Sequence, residues 1–406
     1  MTAGAAPSTG IRPADVPLAD VPLADVPLDG GPVEIRGAVR VERTGRGVLP
    51  RRLGAAQWSQ IPDDFMLASV SQSAGVRLAF RTSATTLELD VLATKMIESE
   101  TAPMPAALYE LVVDGELVQT QQSSVGNRFV FTFERPEAYV VPGEPDTVRF
   151  DGLAAGAKDV ELWLPYSDEV ELLALRADAP VDRPAPVTTV RWLHHGSSIS
   201  HGYVATRTSR TWPVAAARAS GVELTSVAFS GNALLDQLTA RTMRDAPADV
   251  ISVKVGINIV NGDMMRLRVF RTAVHGFIDT IRDGHPDALL LMISPVFCGP
   301  VEQSAGPTVQ DPTRTDPWTI SAGTPEQVAE GKLSLSVIRT ELERIVRERS
   351  QTDPALRYLD GLELYGAADN ARLPMPDNLH PADDVQQLIG ERFARIAFGP
   401  HGLLRD

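Results

Sequence analysis

Small polar residues follow several apolar runs of the sequence, and their types are those that take part in nucleophilic catalysis. The segment "WLHHGSSISHGY" ends an apolar run with Gly196, Ser197 and Ser198. A serine at the turn between a strand and a helix lies near backbone amides that can stabilise a developing negative charge. A serine there can also cap the helix for purely structural reasons, so this segment alone leaves both interpretations open.

Two further segments carry possible hydrogen-bond donors for an oxyanion. "AFSGNA" places Gly231 after an apolar run, where glycine either lets the backbone approach a ligand or simply closes a turn. "GIN" places Asn258 after another apolar run, where its side-chain amide can donate to an oxyanion. Asparagine is equally common in ordinary turns, so each signal is weak when taken by itself.

The segment "PMPDNLHPADD" contains Asp377 and, three residues later, His380. A nucleophilic serine needs an imidazole to accept its proton, and the imidazole needs a carboxylate to orient it. This loop can supply both groups, and Pro381 is suited to the first position of the helix that we expect to follow. A turn aspartate beside a surface histidine is the alternative interpretation.

The elements that must position these residues follow from the apolar pattern, which changes once along the chain. Over residues 31–183 apolar and polar residues alternate with a period of two, as in "TLELDV". Asp114-Gly115 lies between two apolar runs, as in a β-hairpin. This predicts an antiparallel, jelly-roll-like β-sandwich. After a proline-rich boundary, apolar runs alternate with helical segments, which predicts a three-layer α/β domain with a parallel sheet over residues 187–406.

Ser198, Gly231, Asn258 and His380 each follow a different predicted strand of the α/β domain. The carboxyl ends of parallel strands meet at one edge of the sheet, where ligands bind in this type of fold. We therefore expect the four residues to converge at that edge. Independent turn residues would rarely do so.

These four segments resemble the blocks of the SGNH, or GDSL-type, hydrolase superfamily, which is named for a Ser, a Gly, an Asn and a His. The matching residues are Ser198, Gly231, Asn258 and His380, and the resemblance covers roughly residues 187 to 400. The D-x-x-H-P ending is its most specific part. The family usually has Asp where Ser197 stands and Asp where Ile259 stands, and a G-S-S-I variant occurs in members with an N-terminal β-sandwich.

The resemblance implies a mechanism and a fold. Ser198 would attack an ester carbonyl, with His380 as base and then acid and with Asp377 orienting the imidazole. The backbone N–H groups of Ser198 and Gly231 and the side chain of Asn258 would form the oxyanion hole. It also implies a flavodoxin-like sheet of five parallel strands and a reaction that needs no metal or cofactor.

The pairing of a sandwich with this catalytic block resembles carbohydrate esterases that remove O-acetyl groups. A small O-acyl ester on a carbohydrate or glycosylated small molecule is therefore the expected substrate. A lipase, a thioesterase and an acyltransferase remain alternatives among enzymes. A carbohydrate-binding protein without activity is the alternative from another class.

Composition limits the partners of this chain of 406 residues. A net charge of −14 without a basic cluster argues against nucleic acid. No apolar run approaches the roughly 20 residues of a membrane-spanning helix, and the first residues lack a signal-peptide pattern, so we expect a cytoplasmic protein without a membrane span. The single cysteine, Cys298, excludes an internal disulfide, while the oligomeric state is left open.

Several other residues are candidates for contact with substrate or for structural roles. We expect Ser197, Asn261 and Trp318 to be possible substrate contacts, and the long loop 298–327 to line the pocket. His201 is too close in sequence to Ser198 for a favourable base geometry, and the adjacent His194 and His195 must point to opposite faces of a strand, where they pack or line the pocket. Residues 1–30, with three tandem ADVPL repeats, are predicted to be an extended arm.

Overall fold

The computed structural model describes residues 22–133, 137–187 and 189–405. The first ADVPL repeat and most of the second lie outside these residues. The third repeat contains β1 (Ala24–Val26), which pairs with a strand of the sandwich at Leu175–Ala177. The extended backbone expected for this repeat is therefore part of a sheet.

The N-terminal part of the chain is a β-sandwich in which α1 (Asp64–Ser71) is inserted. Its further strands are β2 (Glu34–Arg36), β3 (Arg40–Arg43), β4 (Val48–Arg51), β5 (Arg77–Thr82), β6 (Leu87–Ile97), β7 (Ala107–Val113), β8 (Glu116–Ser123), β9 (Asn127–Val130), β10 (Tyr139–Val141), β11 (Asp146–Phe150), β12 (Lys158–Trp163), β13 (Asp168–Ala177) and β14 (Val181–Asp182).

Among the described residues, one sheet of the sandwich has the order β10-β9-β6-β13-β4-β3, with β1 on β13 and β11 on β6. The other has the order β14-β5-β12-β7-β8, with β2 on β5. The pairing is antiparallel except between β6 and β9. The β7–β8 hairpin turns at Asp114 and Gly115, which both have positive φ (49° and 86°), as the sequence predicts.

The C-terminal part is a three-layer α/β fold. Its strands are β15 (Arg191–His195), β16 (Glu223–Ser226), β17 (Val250–Lys254), β18 (Leu289–Ile293) and β21 (Leu356–Leu359), and β19 (Thr308–Gln310) pairs with β20 (Thr319–Ser321) as a separate hairpin. Its helices are α2 (Ser198–His201), α3 (Trp212–Ser220), α4 (Gln237–Asp245), α5 (Ile257–Asn261), α6 (Leu267–Gly284), α7 (Pro325–Ala329), α8 (Leu335–Arg349), α9 (Ala367–Arg372) and α10 (Asp383–Phe398).

The parallel sheet has the strand order β16-β15-β17-β18-β21, which is the flavodoxin-like order 2-1-3-4-5. Helices cover both faces, because α3 packs on α10 on one side and α4 packs on α6 on the other. The chain adds β16 on one side of β15 and the later strands on the other, so the topological switch point lies between β15 and β17. Ligands in such folds bind outside the carboxyl ends of the strands at this point.

The sandwich and the α/β fold share part of one hydrophobic core. The sandwich has its own cluster between its two sheets, which includes Leu89 of β6 and Leu111 of β7. Met66 and Val70 of α1, however, belong to the cluster that fills the α/β fold. Because α1 is buried against the α/β fold by its apolar face, it carries sandwich residues to the edge of the parallel sheet.

Two expectations about helices need correction. Pro381 does not occupy the first position of α10, because Ala382 has an extended backbone (ψ 175°) and the helix begins at Asp383. Residues 327–350, whose spacing of apolar residues predicts one helix, are instead divided between α7 and α8, with Gly331 between them at φ +99°. Within the described residues, no helix is both long enough and apolar enough to cross a bilayer.

Candidate active site

Ser198 is the first residue of α2, immediately beyond β15, and its side chain is connected to His380. Ser198 Oγ lies 2.9 Å from Nε2 of His380. Ser197 precedes it as the N-cap, and its hydroxyl accepts a hydrogen bond from the backbone N–H of Ile199. The first serine of the pair thus supports the turn, while the second faces the imidazole.

His380 is held by Asp377 in the loop before α10. Nδ1 of His380 lies 2.6 Å from Oδ2 of Asp377, and Oδ1 of Asp377 accepts the backbone N–H groups of Leu379 and His380 at 3.0 and 2.6 Å. Burial opposes ionisation of this carboxyl group, but the hydrogen bonds and the imidazole outweigh it and lower the pKa of Asp377. An ionised carboxylate on Nδ1 leaves Nε2 free to accept the proton of Ser198.

Hydrogen bonds join the loops that contain Ser198, Gly231 and Asn258. The backbone N–H of Ser230 donates to Nδ1 of His201 in α2 at 3.1 Å. The backbone N–H of Ala233 donates to Oδ1 of Asn258 at 3.0 Å. Since Oδ1 of Asn258 is occupied in this way, its Nδ2 group is directed elsewhere and can donate to a ligand.

The same loops leave backbone donors available. Within the described residues, the backbone N–H groups of Ser198 and Gly231 donate to no other group. Gly231 has φ +72°, a conformation that other residues rarely adopt. Two unused amides beside a paired hydroxyl and imidazole can stabilise the negative charge of a tetrahedral intermediate.

Of the three residues predicted to contact substrate, only Ser197 directly adjoins the nucleophile. Asn261 lies at the end of α5, one turn beyond Asn258, and its Oδ1 is buried without a hydrogen-bond partner in the described part of the chain. Trp318 packs under the guanidinium of Arg314, 4.5 Å away, in the long loop. That loop reaches the candidate site through Thr319, whose backbone N–H donates to the carbonyl of Asp377 at 2.9 Å.

The other histidines near Ser198 are structural. His201 is buried, and its Nε2 bonds to the carbonyl of Tyr166 in the sandwich at 3.0 Å. Burial and the charge of Arg52 hold the pKa of His201 well below its ordinary value, so it is neutral at pH 7. His194 and His195 pack on opposite faces of the sheet, against Trp212 and Phe277 respectively.

Three residues near the site were missed by sequence reasoning. The ring of Tyr203 packs against the imidazole of His380, with ring centroids 4.6 Å apart. Phe65 of α1 packs on Gly231, where an added Cβ atom would overlap the phenyl ring. Arg52 is fully buried and bonds to the carbonyls of Ser69 and Ala228 at 2.6 Å each, which ties α1 to the Gly231 loop. Of these three residues, only Tyr203 lies within a segment that the sequence marks as a possible site, "WLHHGSSISHGY".

Comparisons with solved structures agree with this architecture. The salicylyl-acyltransferase SsfX3 from a tetracycline biosynthetic pathway is 25% identical, with a TM-score of 0.74, and the match covers 91% of this chain and 95% of that one. A protein described as a GDSL-like lipase from Bacteroides ovatus is 16% identical, with a TM-score of 0.63 over 92% and 96% of the two chains. A family two carbohydrate esterase from Clostridium thermocellum, solved with cellohexaose, is 14% identical, with a TM-score of 0.56 over 89% and 97%.

No protein-family model matches the chain, and no curated protein matches it significantly. The structural matches extend over both the sandwich and the α/β fold. The chain thus combines a β-sandwich with a three-layer α/β fold in one arrangement shared with these structures. This is the fold of the matched GDSL-like lipase and carbohydrate esterase structures, and it confirms the β-sandwich and the flavodoxin-like α/β domain expected from the sequence.

Proposed function

We propose that the protein is a serine esterase of the SGNH type that hydrolyses a small O-acyl ester. The single observation that carries this proposal is the chain of hydrogen bonds from Ser198 Oγ to His380 Nε2 and from His380 Nδ1 to Asp377. Such a chain raises the nucleophilicity of a hydroxyl group only because each member is oriented by the next. A protein that only binds carbohydrate has no need of it.

The proposed reaction forms and breaks an acyl-enzyme. Ser198 Oγ attacks the ester carbonyl while its proton passes to Nε2 of His380, and the imidazolium is stabilised by Asp377. The amides of Ser198 and Gly231 and the side chain of Asn258 hold the oxyanion. The intermediate then expels the alcohol, which takes the proton from His380, and water attacks the acyl-enzyme by the same route with the carboxylic acid as product.

The leading substrate is an O-acetyl ester on a carbohydrate or a glycosylated small molecule. Its support is the fold shared with family two carbohydrate esterases, one of which was solved with cellohexaose. A panel of sugar acetates, together with acyl chains of increasing length, tests it. Faster hydrolysis of octanoyl than of acetyl esters would instead identify a lipase-type acylhydrolase, and a preference for acyl thioesters a thioesterase.

The deciding experiment combines turnover with covalent labelling. We expect hydrolysis of p-nitrophenyl acetate to stop after treatment with a fluorophosphonate probe and the label to be found on Ser198. Wild-type protein that is folded, yet neither labelled nor active on any ester of the panel, would support the carbohydrate-binding alternative. Circular dichroism of the same samples establishes that the protein is folded.

An acyltransferase is the second candidate, because the match at 25% identity and TM-score 0.74 is named a salicylyl-acyltransferase. In that case an alcohol, in place of water, would attack the acyl-enzyme. The two functions are separated by adding an alcohol acceptor during turnover and measuring how the acyl group divides between new ester and free acid. Release of free acid alone at every acceptor concentration supports the hydrolase.

A further inference from the structure

Three phenylalanine side chains of the β-sandwich form a continuous aromatic surface, called here the phenylalanine wall and defined by Phe65, Phe131 and Phe133. The ring centroids lie 5.5 Å apart for Phe65 and Phe131, 5.0 Å apart for Phe65 and Phe133, and 5.1 Å apart for Phe131 and Phe133. Phe133 is 82% exposed. An exposed phenylalanine held against two others presents an apolar ring face to solvent, which is a feature of binding sites.

The wall is joined directly to the proposed oxyanion loop. The ring of Phe65 packs on the backbone of Gly231, so closely that no Cβ atom fits between them. Arg52 fixes the two segments to each other, because its guanidinium bonds to the carbonyl of Ser69 in α1 and to the carbonyl of Ala228 just before the loop. A group bound against this wall therefore lies beside the position where an ester carbonyl would be held.

Phe131 and Phe133 belong to the rim of the sandwich that faces the candidate site. The backbone N–H of Phe131 donates to the carbonyl of Ile97 at 3.0 Å, and Glu98 follows directly. Burial and the carboxylates of Asp377 and Glu98 raise the pKa of Tyr203, whose ring covers His380. The sandwich rim therefore borders the same candidate site as the loop that carries His380.

We propose that the phenylalanine wall is a substrate subsite that binds a flat aromatic ring of the ester, next to its carbonyl group. This inference rests on the proposed esterase activity, and among small O-acyl esters it favours one that carries such a ring over a plain sugar acetate. A ring contact of this kind, with the apolar area that it buries, is expected to give roughly a tenfold preference for an ester that carries the ring. The ring can belong to the acyl part or to the alcohol part, and the two sources are separated by the choice of ester.

The test compares three esters in wild type and in Phe133→Ala. Ethyl benzoate carries the ring on the acyl side, phenyl acetate carries it on the alcohol side, and ethyl acetate carries no ring. For each ester the ratio of kcat/KM between variant and wild type removes the difference in intrinsic reactivity. We expect Phe133→Ala to lower kcat/KM about tenfold more for one of the two ring-bearing esters than for ethyl acetate, mainly through KM.

Two further variants complete the design. Phe131→Leu keeps apolar volume while it removes an aromatic face, and it is expected to show the same selectivity with a smaller effect. Val118→Ala removes an exposed apolar side chain from β8, on the other sheet of the sandwich, and is the matched control for which all three ratios stay near one. A melting temperature for each variant establishes that the fold is intact.

The outcomes separate this inference from the proposed function. Equal changes for all three esters, or no change for any of them, would show that the wall is not a substrate subsite. Hydrolysis by the wild type would still support the proposed esterase activity. Wild-type protein that hydrolyses none of the esters and is not labelled at Ser198 would overturn the esterase itself. If Phe133→Ala changes only the oligomeric state seen by light scattering, the wall is a protein contact and the subsite is wrong.

Discussion

The two sides of the candidate active site, one formed by the α/β fold and the other by the sandwich, are built from different interactions. On the α/β side, Ser198, His380 and Asp377 are joined by hydrogen bonds of 2.9 and 2.6 Å. On the sandwich side, the rings of Phe65 and Phe133 meet edge to face, with ring centroids 5.0 Å apart. Hydrogen bonds fix the direction and distance of reacting atoms, whereas ring contacts are less directional and accept many orientations. We therefore expect changes on the first side to alter the chemical step and changes on the second to alter substrate choice.

The largest expected effect comes from the nucleophile. Ser198→Ala removes the attacking oxygen, and we expect kcat to fall by about 10⁴-fold or more, as in other enzymes with this group arrangement. Ser197→Ala is the matched control, because it removes a hydroxyl group one residue away that caps α2. Initial rates with p-nitrophenyl acetate measure both variants. Equal losses in the two variants would show that the turn, and not one serine, carries the reaction.

The orienting carboxylate is expected to give the next largest loss. Asp377→Asn keeps the shape of the side chain but removes the charge that stabilises the imidazolium, so we expect kcat to fall about 10³- to 10⁴-fold. KM should change little, because Asp377 contacts His380 rather than substrate. A variant that loses affinity and keeps kcat would contradict the division between the two sides of the candidate active site.

The same carboxylate predicts a pH dependence of stability. The folded protein lowers the pKa of Asp377 below its ordinary value of 3.8, so the unfolded chain binds more protons in acid. Its stabilising contribution is therefore complete well above pH 3.8 and is lost as the pH falls below that value. Urea titrations of wild type and Asp377→Asn should differ at pH 7 and converge as the pH falls below 3.8.

An intermediate effect is expected at the oxyanion donor. Asn258→Ala should lower kcat by about 10²- to 10³-fold, the size associated with the removal of one such donor. The same substitution also removes the acceptor of the Ala233 backbone N–H, which donates to Oδ1 of Asn258 in the wild type. Asn258→Asp is the comparison that keeps this acceptor and removes the donor. Full activity in Asn258→Asp would remove Asn258 from the proposed hole.

The contrast between the two sides also explains what the sequence could predict. Ser198, Gly231 and Asn258 follow strands, and the sheet order brings such positions together whatever the details of packing. The turn of the β7–β8 hairpin likewise depends on its own two residues, Asp114 and Gly115, which both have positive φ. These features depend on short segments, and the sequence alone was sufficient for them.

Contacts between distant segments could not be predicted in the same way. Phe65 reaches Gly231 only because Met66 and Val70 bury the other face of α1 in the α/β core. Arg52 would be expected at the surface from its charge, yet it is fully buried among backbone carbonyls, and burial lowers its pKa to about 9. No spacing or motif marks either residue, because the tertiary fold alone supplies their partners.

The smallest expected effect tests the division between hydrogen bonds on the α/β side and ring contacts on the sandwich side. Tyr203 lies on the α/β side but contacts His380 through its ring. Tyr203→Phe keeps that ring and should retain activity within about twofold, while Tyr203→Leu removes it and should lower kcat about two- to tenfold, as expected for one aromatic contact. Rates with ethyl acetate, which has no ring to bind, measure this effect on the imidazole alone. If Tyr203→Phe loses as much as Tyr203→Leu, the hydroxyl group takes part in the reaction. A directional polar contact would then replace the ring contact as the role of Tyr203, and hydrogen bonding would account for every group around His380.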